Sequence, residues 1–233
     1  AGRPGRQGDT GRRLIQRYWG MRVTTWTEYS LIISLHLARR GGSAVEPVAA
    51  RELVCAASNY PAVPQTSSVE VFDTGSLRHV RSHSFGITEG SLTALDRHAG
   101  HWWAIFAHYD GRGGEPGRDA AHSQLVRLDD RFLPLERWTF PAAVVERMKP
   151  YSASGASWTV RGRLAVSGHD RPEIYILSLP SAGSVLVLER RLEVSTQGQA
   201  IDCDPRRDRH LWSISRASRE LVLSDLRAGL PDE

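Results

Sequence analysis

Histidine and carboxylate side chains follow two of the strand-like segments of this 233-residue chain. His108 and Asp110 come after one apolar run, and His169, Asp170 and Glu173 come after another. Imidazole and carboxylate together suit zinc, manganese or iron, and a metal-bound water would serve a hydrolase or a lactonase. The alternative is that both aspartates cap turns while both histidines bond to the backbone of neighbouring segments. We favour this alternative, because adjacent residues of an extended chain point in opposite directions.

Other kinds of catalytic or cofactor site have less support. The chain contains no Gly-x-Ser-x-Gly segment, which argues against a hydrolase of the nucleophile-elbow type. The glycine-rich stretch 111–119 lacks the Gly-Lys-Ser/Thr ending of a phosphate-binding loop. Cys55 and Cys203 lie in apolar runs without a CxxC or CxxH setting, so we predict two buried thiols and no zinc site. The sequence indicates no particular cofactor.

Charge and hydropathy exclude two classes of partner. Lys and Arg total 30 against 26 Asp and Glu, a formal net charge of +4. Residues 1–13 hold four arginines and one aspartate and account for most of that excess, so we predict a flexible basic tail there. No basic run follows it, and nucleic-acid binding is not expected. No stretch approaches the roughly 20 apolar residues that span a bilayer, so no membrane span is expected either.

A repeated segment must position these side chains. Four short apolar runs resemble one another: 52–58, 101–107, 163–168 and 210–215. Each run is followed by an alternating strand, three of these are followed by a further strand, and three of the four runs are preceded by a short one. We label these strands A to D in chain order. Four antiparallel strands per unit, repeated at roughly 40 to 50 residues, are typical of propeller blades.

The sequence therefore predicts an all-β fold. We expect a β-propeller of about four to five four-stranded blades in residues 14–226, incomplete at its N-terminus, with a tail at 227–233. Strand-like pieces at 14–18 and 22–26 could complete a blade with the C-terminal strands. The aromatic residues of the runs are expected to pack between blades, because a single blade cannot bury both its faces.

Two insertions interrupt the repeat. The glycine-rich stretch 111–119 lengthens one B–C loop, and 141–150 enters a D–A connection. Pro141 and Pro150 bracket a helix-favouring segment, which predicts one short helix. Both insertions are expected over the same face and could wall a pocket there.

The B–C loops and D–A connections of an antiparallel blade lie on one face, which we call the B–C face. Functional residues concentrate on loops that a rigid scaffold holds. The predicted ligand-binding residues lie in these connections: Asn59, Tyr60, His108, Tyr109, Asp110, His169, Asp170, Glu173, Gln199 and Arg216. The A–B turns of the opposite face, such as 96–98, are expected to be plain solvated connections.

Several short motifs occur together along the chain. They are Ser58-Asn59-Tyr60-Pro61, Ser67-Ser68-Val69-Glu70, Ser82-His83-Ser84-Phe85-Gly86, Gly90-Ser91-Leu92-Thr93, Gly168-His169-Asp170, Pro172-Glu173-Ile174-Tyr175 and Gly198-Gln199-Ala200. With them, residues 41–224 resemble a group of uncharacterised bacterial proteins predicted to be secreted β-propellers. The resemblance implies the fold and an extracytoplasmic location, and it implies no activity.

Two functions fit these features. The first is a non-enzymatic propeller that binds a small molecule, a glycan or a protein on the B–C face. The second is a metal-dependent propeller hydrolase or lactonase with its site at the central channel. We prefer the first, because no catalytic motif accompanies the repeat.

Overall fold

The computed structural model describes residues 52–73, 75–87, 90–111, 115–195, 197–204, 209–215, 218 and 220–226. The two predicted tails, the strand-like pieces at 14–18 and 22–26, and Arg216 lie outside the described residues. The described chain is all-β, with fourteen strands in four antiparallel sheets and one α-helix. The predicted fold class is confirmed at this level.

Each sheet is a meander of strands that are consecutive in the chain. Sheet 1 contains β1 (Glu52–Ser58), β2 (Thr66–Asp73) and β3 (His79–Ile87). Sheet 2 contains β4 (Ser91–His98), β5 (His101–Ala107), β6 (Gln124–Leu128) and β7 (Pro134–Thr139). Sheet 3 contains β8 (Gly155–Trp158), β9 (Leu164–Ser167), β10 (Glu173–Ser178) and β11 (Val187–Glu193). Sheet 4 contains β12 (Ile201–Cys203), β13 (His210–Ser215) and β14 (Glu220–Asp225).

The predicted order A-B-C-D is complete in sheets 2 and 3. Sheet 1 shows strands B, C and D, and sheet 4 shows strands A, B and C, among the residues that the structure describes. The sheets adjoin through their inner strands, since β4 contacts β1 and β8, and β8 contacts β12. The four apolar runs of the sequence are therefore equivalent strands of consecutive, stacked sheets.

Burial follows from alternation along the central strands. Trp103 and Ile105 of β5 face sheet 3, whereas Ala104 and Phe106 face sheet 1. A strand whose two faces are both covered reads as a continuous apolar run, which is why the period-2 pattern is absent there. Outer strands such as β11 are mostly exposed. Apolar packing between neighbouring sheets thus holds the sheets together.

Aromatic side chains pack between sheets 2 and 3, as predicted. The rings of Trp103 and Trp158 have centroids 4.7 Å apart, and those of Trp103 and Trp138 are 5.7 Å apart. Helix α1 (Ala142–Met148) covers this cluster with Val144, Val145 and Met148. The predicted helix in the second insertion is confirmed, and Pro141 directly precedes it.

One predicted solvated turn is wrong. The sequence predicts Asp96 in a plain solvated A–B turn, but this residue belongs to strand β4, and its Oδ2 accepts a hydrogen bond of 2.8 Å from the backbone N–H of Trp158. The carboxylate therefore links sheet 2 to sheet 3. A turn-forming sequence pattern does not show whether its aspartate is solvated or bonds to a neighbouring sheet, because both uses favour the same residue types.

Both cysteines are buried, as predicted, with Cys55 1% and Cys203 9% exposed, and neither forms a disulfide. Burial, followed by the negative charge of Glu70, raises the pKa of Cys55 to about 11, so this thiol stays protonated at neutral pH. No helix in the described part of the chain is long and apolar enough to cross a bilayer.

Candidate functional site

Four aromatic side chains form a row on the B–C face, which we call the aromatic row. Tyr60 and Tyr109 have ring centroids 4.5 Å apart, Tyr109 and Tyr151 6.3 Å, and Tyr151 and His169 4.0 Å with the rings stacked. The row runs from the B–C loop of sheet 1, through the B–C loop and D–A connection of sheet 2, to the B–C loop of sheet 3. Three predicted site residues are thus brought together.

Serine hydroxyls lie beside Tyr109, the buried member of this row. Ser58 and Ser91 are joined by a hydrogen bond of 2.6 Å between their Oγ atoms. The hydroxyl of Tyr109 bonds to Ser91, while burial raises the pKa of this tyrosine above its ordinary value. Tyr109 is only 8% exposed, whereas Tyr60 and Tyr151 are half-buried. Tyr109 therefore anchors the row, and its neighbours form its accessible part.

The two insertions meet at Asp110. Its backbone N–H donates to the carbonyl oxygen of Pro150 at 2.8 Å, and its Oδ1 accepts from the N–H of Ala120 at 2.8 Å. Its Oδ2 lies 3.7 Å from Nζ of Lys149. Asp110 therefore closes its loop and fixes the end of helix α1 over the same face, rather than presenting an unpaired carboxylate.

His108 lies beneath the surface, at 1% exposure. Its backbone N–H donates to Oγ of Ser123 at 2.9 Å, and the ring of His122 lies 6.1 Å away. Ser123 in turn bonds to Ser152 at 2.6 Å. Since His108 is buried, it supports the loop from within, and it does not belong to the accessible surface beside Tyr109.

His169 and Asp170 contact each other. Nδ1 of His169 lies 2.5 Å from Oδ1 of Asp170, because the chain bends here instead of staying extended. The His169 side chain is 16% exposed and that of Asp170 57% exposed. The carboxylate thereby orients the imidazole that stacks on Tyr151.

Glu173 is held by two arginines and a tyrosine. Its carboxylate accepts hydrogen bonds from Arg147 of helix α1, from Arg191 of β11 at 2.8 Å, and from the hydroxyl of Tyr175 at 2.8 Å. The Arg147 hydrogen bond, with those of Tyr175 and Arg191, lowers the pKa of Glu173 to about 2, against the opposing effect of burial. Glu173 therefore connects helix α1 to sheet 3, and its role is structural.

Gln199 lies where two connections touch. Its backbone carbonyl accepts a hydrogen bond from Oγ of Ser167, and its side chain is 5% exposed. Its Nε2 has no hydrogen-bond partner among the described residues. The preceding Gly198 lies so close to Gly168 that a Cβ at 198 would be 1.9 Å from the Gly168 carbonyl oxygen. The connection before sheet 4 is thus packed on the loop that carries His169.

Asn59 closes its own loop. Its Oδ1 accepts from the N–H of Thr66 at 2.8 Å, and its Nδ2 donates to the carbonyl of Pro64 at 3.2 Å. These two hydrogen bonds stabilise the 59–66 loop, in which Tyr60 contacts Tyr109.

The arrangement gives no metal site within the described ranges. No group of three or more His, Cys, Asp or Glu side chains lies close enough there to hold a metal ion. His108 is buried against Ser123, and His169 is stacked on Tyr151, so the two histidines belong to different contacts. The grouping of His108, Asp110, His169 and Asp170 as metal ligands, the hypothesis that we did not favour, is not seen among the described residues.

Sequence reasoning missed three residues of this face. Tyr151 completes the aromatic row, and Arg147 and Arg191 neutralise Glu173. Tyr151 directly follows the helix insertion that was placed over this face, so an aromatic residue in that connection was a usable signal. The two arginines carried no such signal, because arginine is spread throughout the chain.

No protein-family model matches the chain, and no curated protein matches it. The β-propeller domain of Cps50 (Swd1) from Myceliophteria thermophila is 17% identical, with a TM-score of 0.39, over 76% of this chain and 54% of that chain. A luciferin-regenerating enzyme is 10% identical, with a TM-score of 0.46, over 74% and 56%. The dihydro-heme d1 dehydrogenase NirN, in complex with DHE, is 20% identical, with a TM-score of 0.38, over 72% and 34%. This chain spans about half the length of the first two structures and a third of the last.

Proposed function

We propose that the four sheets are blades of a β-propeller and that its B–C face binds a ligand without catalysing a reaction. The blade assignment is supported by the repeated meander and by contacts between inner strands of consecutive sheets. A ring of blades would bring equivalent loops together at one end of its central channel.

The aromatic row is the observation that carries the binding proposal. Tyr60 and Tyr109 hold equivalent positions, seven residues after Leu53 and Trp102, and their rings touch across a sheet boundary. Ligand sites are predominantly apolar and aromatic with a few placed polar groups. Because the row is built by loops of three consecutive sheets, it is a surface that no single sheet could form.

Binding is favoured over catalysis by the state of the ionisable side chains. Asp110 bonds to the backbone and lies near Lys149, and Glu173 is bound by two arginines. A general base or a metal ligand needs an available lone pair within reach of a substrate. These carboxylates are occupied in holding loops and the helix, so they suit a rigid binding surface.

The test uses the full chain and three alanine variants. Tyr60→Ala and Tyr151→Ala shorten the accessible part of the row, and Leu133→Ala removes a side chain that is 54% exposed in a C–D turn on the opposite face. Each protein is screened by thermal shift against one panel of neutral sugars, nucleosides, amino acids and short peptides.

We expect at least one compound to raise the melting temperature of wild type and of Leu133→Ala, and to lose most of that effect with both tyrosine variants. A set of stabilising compounds that act equally on the tyrosine variants would place binding elsewhere and overturn the proposal. Circular dichroism of each variant checks that the sheets are retained.

A further inference from the structure

Three side chains on the inner strands of sheets 2, 3 and 4 form one polar group, and they are Asp96 of β4, Ser157 of β8 and Asp202 of β12. Oγ of Ser157 lies 3.0 Å from Oδ1 of Asp202 and also hydrogen-bonds the carboxyl group of Asp96. The backbone N–H of Trp158 donates to Oδ2 of Asp96 at 2.8 Å, and that of Cys203 donates to Oγ of Ser157 at 3.1 Å. Each inner strand is therefore bonded to the next through this group.

The number of protons in the group decides which of these hydrogen bonds can form together. A serine hydroxyl has one proton, whereas an ionised carboxylate only accepts hydrogen bonds. With both carboxyl groups ionised, Ser157 can donate to Asp96 or to Asp202, but not to both. With one proton on Asp202, this acid donates to Oγ of Ser157, and Ser157 donates to Asp96. The two lone pairs of Oγ then accept from Asp202 and from the N–H of Cys203.

The contacts place that proton on Asp202. Asp96 accepts from the backbone N–H groups of Arg97 at 2.7 Å and of Trp158 at 2.8 Å, and such donors stabilise a carboxylate anion. The buried Oδ2 of Asp202 has no hydrogen-bond partner in the described part of the chain. Burial, and then the charge of Asp96, raises the pKa of Asp202 to about 7, and burial also raises the pKa of Asp96. The pair therefore retains a proton above the pH at which exposed carboxyl groups lose theirs.

Neighbouring charges do not replace this proton. On the inner strands and the strands paired with them, the other titratable side chains are Arg97, His98, His101, Cys203 and His210. Strand β1, which also contacts β4, adds the buried thiol of Cys55 and Glu52, which is bound to Arg81. His98 lowers the pKa of Asp96, whereas Asp204, directly after β12, raises the pKa of Asp202. Asp202 thus has further acids beside it, and no cation among the described residues is bound to it.

We propose that Asp96, Ser157 and Asp202 form a proton-dependent contact between sheets 3 and 4, which is intact while the two carboxyl groups hold a proton and weakens locally when they lose it. This inference does not depend on ligand binding. The strand affected is β12, whose Ile201 and Cys203 pack in the apolar core between these sheets. When two anions share one serine proton, β12 separates from β8 more readily than the rest of the protein unfolds.

Amide hydrogen exchange of the full chain, followed by NMR between pH 6 and pH 9, tests this inference. The reporting amide is that of Cys203, and the amides of β6 in sheet 2 report on unfolding of the whole protein. After correction for the intrinsic pH dependence of exchange, we expect the Cys203 amide to lose about tenfold more protection than β6 over this range. This extra loss should be absent in Asp202→Asn, because an amide does not ionise and its N–H can donate to Oγ of Ser157. Asp130→Asn, the matched control at an exposed carboxylate, should keep it.

Ser157→Ala distinguishes the role of the serine from that of the carboxyl groups. This variant removes the acceptor of the Cys203 N–H, so protection of this amide should already be low at pH 6 and show no extra loss at higher pH. Equal losses of protection at Cys203 and in β6 of wild type would mean that the proton acts on global stability alone, which overturns the proposal. An extra loss that persists in Asp202→Asn overturns it too, since another group would then be titrating.

Discussion

Ser157 and Asp202 are joined across the boundary between sheets 3 and 4, where Oγ of Ser157 lies 3.0 Å from Oδ1 of Asp202. Ser157 also accepts from the N–H of Cys203 at 3.1 Å, just as Asp96 accepts from the N–H of Trp158 one sheet earlier. The inner strands of consecutive sheets are therefore joined by the same side-chain-to-backbone contact. The contact repeats because Asp96 and Ser157 occupy equivalent positions in the register of their strands.

The first prediction concerns Asp202. Burial, and then the charge of Asp96, raises the pKa of Asp202 from 3.8 to about 7. The folded protein therefore keeps this proton up to about pH 7, while the unfolded chain loses it near pH 4, so stability falls as the pH rises through this window. Asp202→Asn copies the protonated form and is expected to be more stable than wild type at pH 8, by about 1 to 3 kcal/mol. Urea unfolding at pH 8 and at pH 3.5 measures this.

The difference between wild type and Asp202→Asn should shrink to a few tenths of a kcal/mol at pH 3.5, where the folded form is protonated and the unfolded chain is mostly protonated. Asp130→Asn is the matched control, since this side chain is 77% exposed and pairs only at the surface with Arg97. A destabilised Asp202→Asn at pH 8 would show that the carboxylate is ionised and bonded in the folded protein, contrary to this prediction.

The second prediction concerns Glu173, whose pKa is lowered to about 2, chiefly by Arg147. A lowered carboxyl pKa contributes stability that is present above the ordinary value of 4.5 and is lost as the pH falls towards 2. Glu173→Gln should lose about 1 to 3 kcal/mol at pH 7, because two arginines then lack their anion. Chemical unfolding of both proteins between pH 7 and pH 2.5 measures the loss, which should shrink over that range.

Glu146→Gln provides the comparison for Glu173. Its carboxylate is 66% exposed and bonds Lys149, which directly follows the same helix, so its replacement should cost less than about 0.5 kcal/mol. Equal losses for the two variants, or a loss at Glu173 that does not depend on pH, would contradict the buried ion pair.

The third prediction concerns the close approach of Gly198 to Gly168. A methyl group at 198 would lie 1.9 Å from a backbone oxygen, and backbone cannot move aside as a flexible side chain can. Gly198→Ala should therefore destabilise the protein by about 2 kcal/mol or more. Urea unfolding measures this, with Gly75→Ala as the control, because a Cβ there would have only Oδ1 of Asp73 near it, at 3.5 Å.

Gly198→Ala also tests the rigidity of the candidate site. The displaced connection contacts the loop of His169, so the NMR signals of the His169 ring and of Tyr151 should shift in Gly198→Ala and stay in place in Gly75→Ala. Stability within 0.5 kcal/mol of wild type together with unchanged signals would mean that the two glycine loops are not packed as described.

Much of the strand order could be predicted from local patterns. A run such as 101–107, apolar at every position from Trp102, indicates a strand covered on both faces, and it repeats with turns between. Pro141 and Pro150 bracket a segment too short for anything but a brief helix, and α1 occupies it. These features were predictable because each depends on neighbours in the chain.

The candidate site was predictable only in its location. The loops with Tyr60, Tyr109 and His169 do come together, because antiparallel strands return equivalent loops to one face. Which of their side chains are accessible was not predictable. Burial of His108 depends on residues that are distant in sequence, such as Ser152 through Ser123.

By itself, the sequence determined the kind of strands and their order within each unit, the burial of both cysteines and the face on which the polar loops gather, since all of these follow from short-range periodicity and composition. Only the tertiary structure decided that Glu173 is neutralised by Arg147, that Asp96 joins two sheets, and that Tyr151 completes the aromatic row. The physical reason is that charge compensation and ring contact act over a few ångströms between residues far apart in the chain, and no local pattern records those distances.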